Sequence, residues 1–383
     1  MNRLFKLLAV CFLFSSCTNK QKQLANEKNI LGDWVTVNNT HGGLQPPLFL
    51  MPGYTFYANH TCDYKSGYYR YIPGQVHFYD QNESPGKTIY LGSMSEFKIT
   101  DDSLKIFNPG TGKWNSFKII RLSSDSLKLE NKDEITVYNH LLPVKYKSMQ
   151  FDEIIISTSE CLGPCPISNT IINSEGAILF NGISFTSQKG LFTCNIPKEQ
   201  YQRLQDNFCK SNIDSLKTNY TAGFTDGQKI TATFVKDGKI YKTITDYGGK
   251  GPILFEWATV PVSYLYQSVP LKKINFPFFA QDSTNFISTK LRNGNKILDL
   301  KLSESFLLFD YLRNGKSSNT LFKERFNFRV YYYRDADTFY SLSTDGRYYK
   351  FIVKGKPVTI DIGFNFYDVN AKNWVWRKAD KYD

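Results

Sequence analysis

Two near-repeats do most to restrict what this chain can fold into. Phe97–Ile106 reads Phe-Lys-Ile-Thr-Asp-Asp-Ser-Leu-Lys-Ile, and Phe117–Leu129 reads Phe-Lys-Ile-Ile-Arg-Leu-Ser-Ser-Asp-Ser-Leu-Lys-Leu. Each runs from an alternating stretch through a polar turn into a second alternation. In Leu104-Lys105-Ile106 and Leu127-Lys128-Leu129 the apolar residues share a face only if the backbone is extended, because the side-chain period there is two. Each segment therefore reads as a hairpin, and neighbouring hairpins read as a meander. The composition agrees: 16% of residues are aromatic, with 25 Tyr and 30 Phe, types that suit the half-buried surface of a sheet.

The same reading extends over residues 29–145 as one β domain. Gly32-Asp33-Trp34 opens it, and turns are expected at Ala58-Asn59, Pro73-Gly74, Pro85-Gly86 and Asn108-Pro109-Gly110. Residues 146–270 hold two strand–strand–helix units. Ile167–Ile172 and Ala177–Asn181 flank Ser174-Glu175-Gly176, and a helix follows Pro197 with Tyr201, Leu204 and Phe208 on one face. Lys229–Val235 and Ile240–Thr245 flank an Asp237-Gly238 hairpin signal. A second helix follows Pro252 through Leu254, Trp257, Val262 and Leu265, with Pro261 able to shorten it. These units imply a four-stranded antiparallel sheet with both helices on one face. Residues 271–383 return to strands, with Ser303–Leu312 as a helix capped by Ser303 and stopped at Asn314-Gly315. The expected class is mainly β with α+β: a barrel-like meander, a two-fold ββα domain and a β-rich C-terminal domain.

The N-terminus carries an address. Met1–Ser16 has two basic residues, an apolar run and a small-residue end, which is the pattern of a secretory signal. Leu13-Phe14-Ser15-Ser16-Cys17 resembles a bacterial lipobox, and the resemblance implies cleavage before Cys17 and acylation of its thiol. Residues 17–28 would then be a polar tether. Surface lipoproteins of the Bacteroidota carry an acidic cluster just after that cysteine. None stands here before Glu27, which points to the periplasmic face of the outer membrane. The net charge of +12 is concentrated in residues 271–383, where 20 Lys and Arg meet 12 Asp and Glu. No run of five or six bases occurs, so a solvated basic face is expected and nucleic acid is not an expected partner.

The β domain, with its Gly-x-Trp opening and its Asp-Ser-Leu-Lys-aliphatic hairpins, resembles the lipocalin-like domains of Bacteroidota lipoproteins. That resemblance places Trp34 at one end of a small barrel and implies a small apolar ligand. The central segment resembles the family known as domain of unknown function 6438. The residues that carry the likeness are Cys161-Leu162-Gly163-Pro164-Cys165-Pro166, the Gly176 hairpin, Thr225-Asp226, and Tyr247-Gly248-Gly249-Lys250-Gly251-Pro252. Ser168-Asn169 departs from it, since the family has a Tyr soon after Cys-Pro. The resemblance supplies a fold and a context but no activity.

Cys161 and Cys165 can form a tight disulfide, a redox pair or remain thiols. Redox pairs favour Cys-x-x-Cys at a helix N-terminus, whereas this spacing is one longer and a strand follows. Cys62, Cys194 and Cys209 read as small buried hydrophobes. No metal site is expected, because all four His (His41, His60, His77, His140) lie in the first domain. The Gly248-Gly249-Lys250-Gly251 loop before a helix could hold an anion on backbone amides, or be a plain turn. No nucleophile–base set is complete, and no cofactor motif occurs. The expectation is a lipid-anchored envelope protein that binds or assembles, its partner another envelope protein or a small apolar molecule. A thiol–disulfide role through Cys161 and Cys165 is the alternative.

Overall fold

The computed structural model describes residues 23–38, 53–72, 87–132, 134–142, 145–162, 165–274, 286–332, 335–353 and 356–380, in two compact units that divide at residue 145. Cys17 and the signal, together with Gly163 and Pro164, lie outside the described residues.

In the first unit a short helix α1 (residues 23–29) precedes ten strands. They are β1 (Gly32–Asn38), β2 (Gly53–Phe56), β3 (Thr61–Tyr64), β4 (Tyr69–Ile72), β5 (Lys87–Tyr90), β6 (Met94–Thr100), β7 (Ser103–Asn108), β8 (Lys113–Leu122), β9 (Ser126–Asn131) and β10 (Glu134–Leu141). Eight of them close into an antiparallel barrel in the order β1-β10-β9-β8-β7-β6-β3-β2, while β4 and β5 form a separate hairpin. Closure removes the exposed edges an open meander would leave. The near-repeats are the hairpins β6–β7 and β8–β9, and Leu104, Ile106, Leu127 and Leu129 all face the buried interior. Trp34 is fully buried in the same core, with Nε1 donating to the Ile30 carbonyl at 2.7 Å. The second half of the expected tether is instead α1. Gln23 Nε2 reaches the Ile99 carbonyl at 3.4 Å, and Ile30, which follows the helix, is buried in the barrel core.

The second unit holds two eight-stranded sheets. The first is built from β11 (Glu153–Thr158), β12 (Ile167–Asn173), β13 (Ala177–Ser184), β14 (Gly190–Asn195), β15 (Asn219–Thr221), β16 (Lys229–Lys236), β17 (Lys239–Tyr247) and β18 (Lys272–Lys273). Its order is β15-β17-β16-β11-β12-β13-β14-β18, antiparallel except for β15 beside β17. Helices α2 (Lys198–Lys210) and α3 (Ile253–Ser263) begin directly after Pro197 and Pro252. Pro261 sits in the last turn of α3, which gives way to a 3-10 turn over Leu265–Gln267. The second sheet comprises β19 (Phe286–Asn293), β20 (Lys296–Asp299), β21 (Lys316–Ser318), β22 (Phe326–Tyr332), β23 (Asp335–Thr344), β24 (Tyr348–Val353), β25 (Lys356–Asp361) and β26 (Arg377–Lys378). Its order is β21-β25-β24-β23-β22-β19-β20-β26, and it is accompanied by α4 (Leu302–Asn314) and α5 (Phe366–Asn370).

The expected boundary at residue 270 does not separate two cores. One apolar cluster takes Ile155, Ile171, Leu179 and Leu191 from the first sheet and Leu291, Phe328, Tyr349 and Ile360 from the second. Phe306, Leu307, Leu308, Phe309 and Leu312 of α4 join it. Eight consecutive α4 residues, Ser303–Asp310, are buried, the pattern of a helix covered on all sides rather than one lying on a surface. The first sheet is buried on both faces too: Ile154, Ile155 and Ile156 are all inaccessible, which is why β11 shows no alternation. The reading of four strands with helices on one face thus becomes eight strands covered on both. Ser303 does not cap α4. Glu304 Oε2 accepts from the Lys301 N–H at 2.9 Å, while the Ser303 hydroxyl pairs with Thr233 Oγ1 at 2.7 Å.

Because α4 belongs to both sheets, Phe306→Ala is expected to cost about 3–5 kcal/mol, the usual range for emptying a buried aromatic site. Hydrogen exchange should then accelerate together in β11–β16 and in β19–β22. Loss of protection in one sheet alone would contradict a shared core.

Candidate functional site

Strand alternation turns two kinds of residue into the barrel interior. Trp34, Phe56, Phe97, Ile99, Leu104 and Leu127 are packed apolar residues. The second kind is tyrosine. Tyr54 on β2 lies directly across from Tyr64 on β3, their rings stacked with centroids 4.8 Å apart, and Tyr138 of β10 meets Tyr54 edge-on at 6.0 Å. A cavity of 480 Å³ opens against these rings and is completed by Tyr68, Tyr69, Ile106, Asn108, Asn115, Phe117 and Thr136. None of the described residues that line it is charged. Burial pushes the phenols of Tyr54, Tyr68 and Tyr138 above the ordinary tyrosine range, so each remains a neutral O–H at physiological pH.

The lip of the cavity depends on Gly67. Its φ of +75° is open to glycine, and a Cβ there would fall 2.2 Å from Cε2 of Tyr90. The adjoining backbone is tied down by Tyr68 N–H to the Gly92 carbonyl and Leu91 N–H to the Tyr68 carbonyl, both at 2.8 Å. This constellation was not singled out by the sequence. Its only trace there is the density of tyrosines, because cavity walls come from strands far apart in the chain.

In the second unit, the motif-bearing segments meet at one end of the first sheet. Cys161 and Cys165 are joined, with Cα atoms 5.7 Å apart. The Leu162 N–H donates to the Asp226 carbonyl at 3.0 Å. Gln228 Nε2 donates to the carbonyls of Ser159 and Pro166 at 3.0 and 2.9 Å. The Gly227 N–H donates to the Tyr247 hydroxyl at 3.0 Å, and Gly248 N–H to the Gln228 carbonyl at the same distance. Cys165 is buried and Cys161 half-buried, with β12 rather than a helix following them. Cys62, Cys194 and Cys209 are free, and burial raises all three thiols, that of Cys62 to about 12.

The amides of the Gly248–Gly251 loop are turned on the chain's own Asp246, whose carboxyl is raised by burial and lowered in part by those amides. The buried Asp246 carboxylate accepts from the Lys250 N–H at 2.8 Å and from the Gly251 N–H. These amides are therefore engaged by a residue at the end of β17. Glu256, in the first turn of α3, is 5% exposed, and its Oε2 has no hydrogen-bond partner. Burial, then the nearby Asp246 charge, raise its carboxyl to about 8 despite the opposing Lys250 ammonium. Burial also lifts Glu153 on β11 to about 7, assisted by Asp310 and Asp152. Among the described residues no group of three or more His, Cys, Asp or Glu is placed to hold a metal, and no helix is long and apolar enough to cross a membrane.

Residues 152–266 match the model of a family described as Domain of unknown function (DUF6438). That span contains the joined cysteines, Thr225-Asp226 and the Gly248–Gly251 loop. No curated protein matches the chain.

The raised carboxyls make stability fall with pH. In the unfolded chain Glu256 would titrate near 4.5, so the folded state holds a proton that the unfolded state has released anywhere between about 4.5 and 8. The stabilising contribution is complete below the lower value and is lost as pH rises through the upper one. Urea unfolding of the second unit should therefore need more denaturant at pH 5 than at pH 8. Glu256→Gln should remove a large part of that difference, on the order of a few kcal/mol. An unchanged pH slope in the variant would show that Glu256 is ionised in the fold.

Proposed function

We propose that this chain is a lipid-anchored envelope protein whose barrel binds a small, uncharged, amphipathic molecule. The observation that carries the reading is the uncharged, tyrosine-lined cavity of 480 Å³, within the size range that takes small organic ligands. Stacked phenols such as Tyr54 and Tyr64 offer flat apolar surface, while their hydroxyls and the Asn108 and Asn115 carboxamides lie among donors and acceptors on the same wall. A charged ligand would lose its hydration with no opposite charge to replace it. The purely apolar ligand that the lipocalin resemblance implies would leave those polar groups unmatched. Binding here needs no bond-breaking group, and the ligand would be held by stacking and hydrogen bonds alone.

Anchoring rests on Leu13–Cys17, with the acylated Cys17 holding the chain on the periplasmic face of the outer membrane. In this reading the Cys161–Cys165 bridge is a staple. It closes a five-residue turn whose flanks are hydrogen-bonded to Asp226 and Gln228, and no helix dipole is set to activate either sulfur. A redox role would need an accessible, low-pKa thiol at that turn.

Native mass spectrometry of chain purified from membranes should show one neutral small-molecule adduct. Tyr64→Ala combined with Asn115→Ala should weaken its retention about tenfold, in line with the loss of one stacking contact and one polar contact. Absence of an adduct on the unaltered chain, or equal retention by the variant, would defeat the cavity assignment. Separately, Cys17→Ala should move the chain from the detergent phase to the aqueous phase, and continued detergent partitioning would defeat the anchor.

A further inference from the structure

The first sheet carries a line of polar side chains across the face that packs against α4. The register pairs Asn181 of β13 with Asn169 of β12, Asn169 with Ser157 of β11, Ser157 with Thr231 of β16, and Thr231 with Thr245 of β17. Directly paired residues point to the same side of a sheet. That side is the one covered by α4, since the Ser303 N–H donates to Thr231 Oγ1 at 3.0 Å and Ile155, two residues from Ser157, belongs to the core shared with α4. All five side chains are buried, with exposures of 0% for Asn181, Ser157 and Thr231, 3% for Asn169 and 5% for Thr245.

Thr231 is satisfied by α4, but the others are not. Both polar atoms of Asn181, Nδ2 of Asn169, Oγ of Ser157 and Oγ1 of Thr245 make no hydrogen bond within the protein. Each such atom costs about 1–3 kcal/mol if left dry. Five together would cancel most of the 5–15 kcal/mol that holds a typical domain folded. Something must therefore satisfy them.

We propose that Asn181, Asn169 and Ser157 form a closed hydration site holding a short file of bound water, with a further water at Thr245. Water fits where other occupants do not. The row has no charged side chain to balance an ion. Its side chains repeat at the strand spacing of about 4.8 Å, so they cannot converge on one centre. Opposed Cβ atoms lie about 4.5–5.5 Å apart, so side chains that do not bond directly can be bridged by a water, which needs two to four polar partners. The site is closed at one end by Leu191, the buried partner of Asn181. Thr245 pairs instead with Asn219 on the edge strand β15, which is exposed, so exchange with solvent would enter from that side.

A crystal structure of the chain at a resolution that places solvent should show water bonded to Asn181 Nδ2 and Oδ1, Asn169 Nδ2 and Ser157 Oγ. Side chains turned to pair with one another, with no density between them, would overturn the site, and so would a larger solute in its place. Magnetic relaxation dispersion of the solvent gives a reading in solution. The unaltered chain should contain about two more long-lived waters than a variant combining Asn181→Leu with Ser157→Ala, one for each bridge removed. Equal counts in a variant that keeps the native circular dichroism would refute the proposal. The site is independent of the barrel ligand, and neither result bears on the other.

Discussion

The second unit depends on α4 being buried on every side. A helix of thirteen residues cannot supply that burial itself, and neither sheet can hide an apolar face alone. Phe306–Phe309 belong to one apolar cluster with Ile155 and Ile171 of the first sheet and Phe328 and Tyr349 of the second. At about 1.5–3 kcal/mol for each large apolar side chain removed from water, this layer outweighs any single hydrogen bond or ion pair around it. Its polar ties, from Ser303 to Thr231 and Thr233, fix where along the sheet the helix starts.

Burying both faces of the first sheet has electrostatic consequences. Groups that would be solvated at the surface of a one-faced sheet must find internal partners or stay neutral. Asp246 finds two backbone amides from the glycine-rich loop. Glu256 has no such pair of donors, and burial holds its proton on. Asn181, Asn169 and Ser157 are neutral but equally enclosed. The barrel solves a similar problem differently: its polar groups are phenols and carboxamides gathered around an open cavity, where a ligand or solvent can reach them.

Much of the local structure was legible in the chain. The β6–β7 and β8–β9 hairpins follow from alternation, and α2 and α3 from a proline at the start and apolar residues at helical spacing. The joined cysteines lie where a turn between two strands was expected. The glycine-rich loop reads as a turn with free amides, and that Asp246, two positions before it, takes them up shows only when β17 and the loop are folded. The barrel cavity was hidden because Tyr54, Phe117 and Tyr138 come from strands spread over the whole unit.

Side-chain periodicity, glycine and proline mark most of the extended and helical segments and their turns within a few residues of chain, though not α1, which reads as a polar tether. That β1 closes on β10, that residues on both sides of position 270 share one core, and that α4 lies between two sheets emerges only when the elements pack. The reason is physical. Ile154-Ile155-Ile156 reads the same whether its second face is covered by α4 or by any other apolar layer, and α4 carries no one-sided stripe to name its partner. Which surfaces meet is settled by how all of them can be buried at once, a property of the assembled unit and not of any window of the chain.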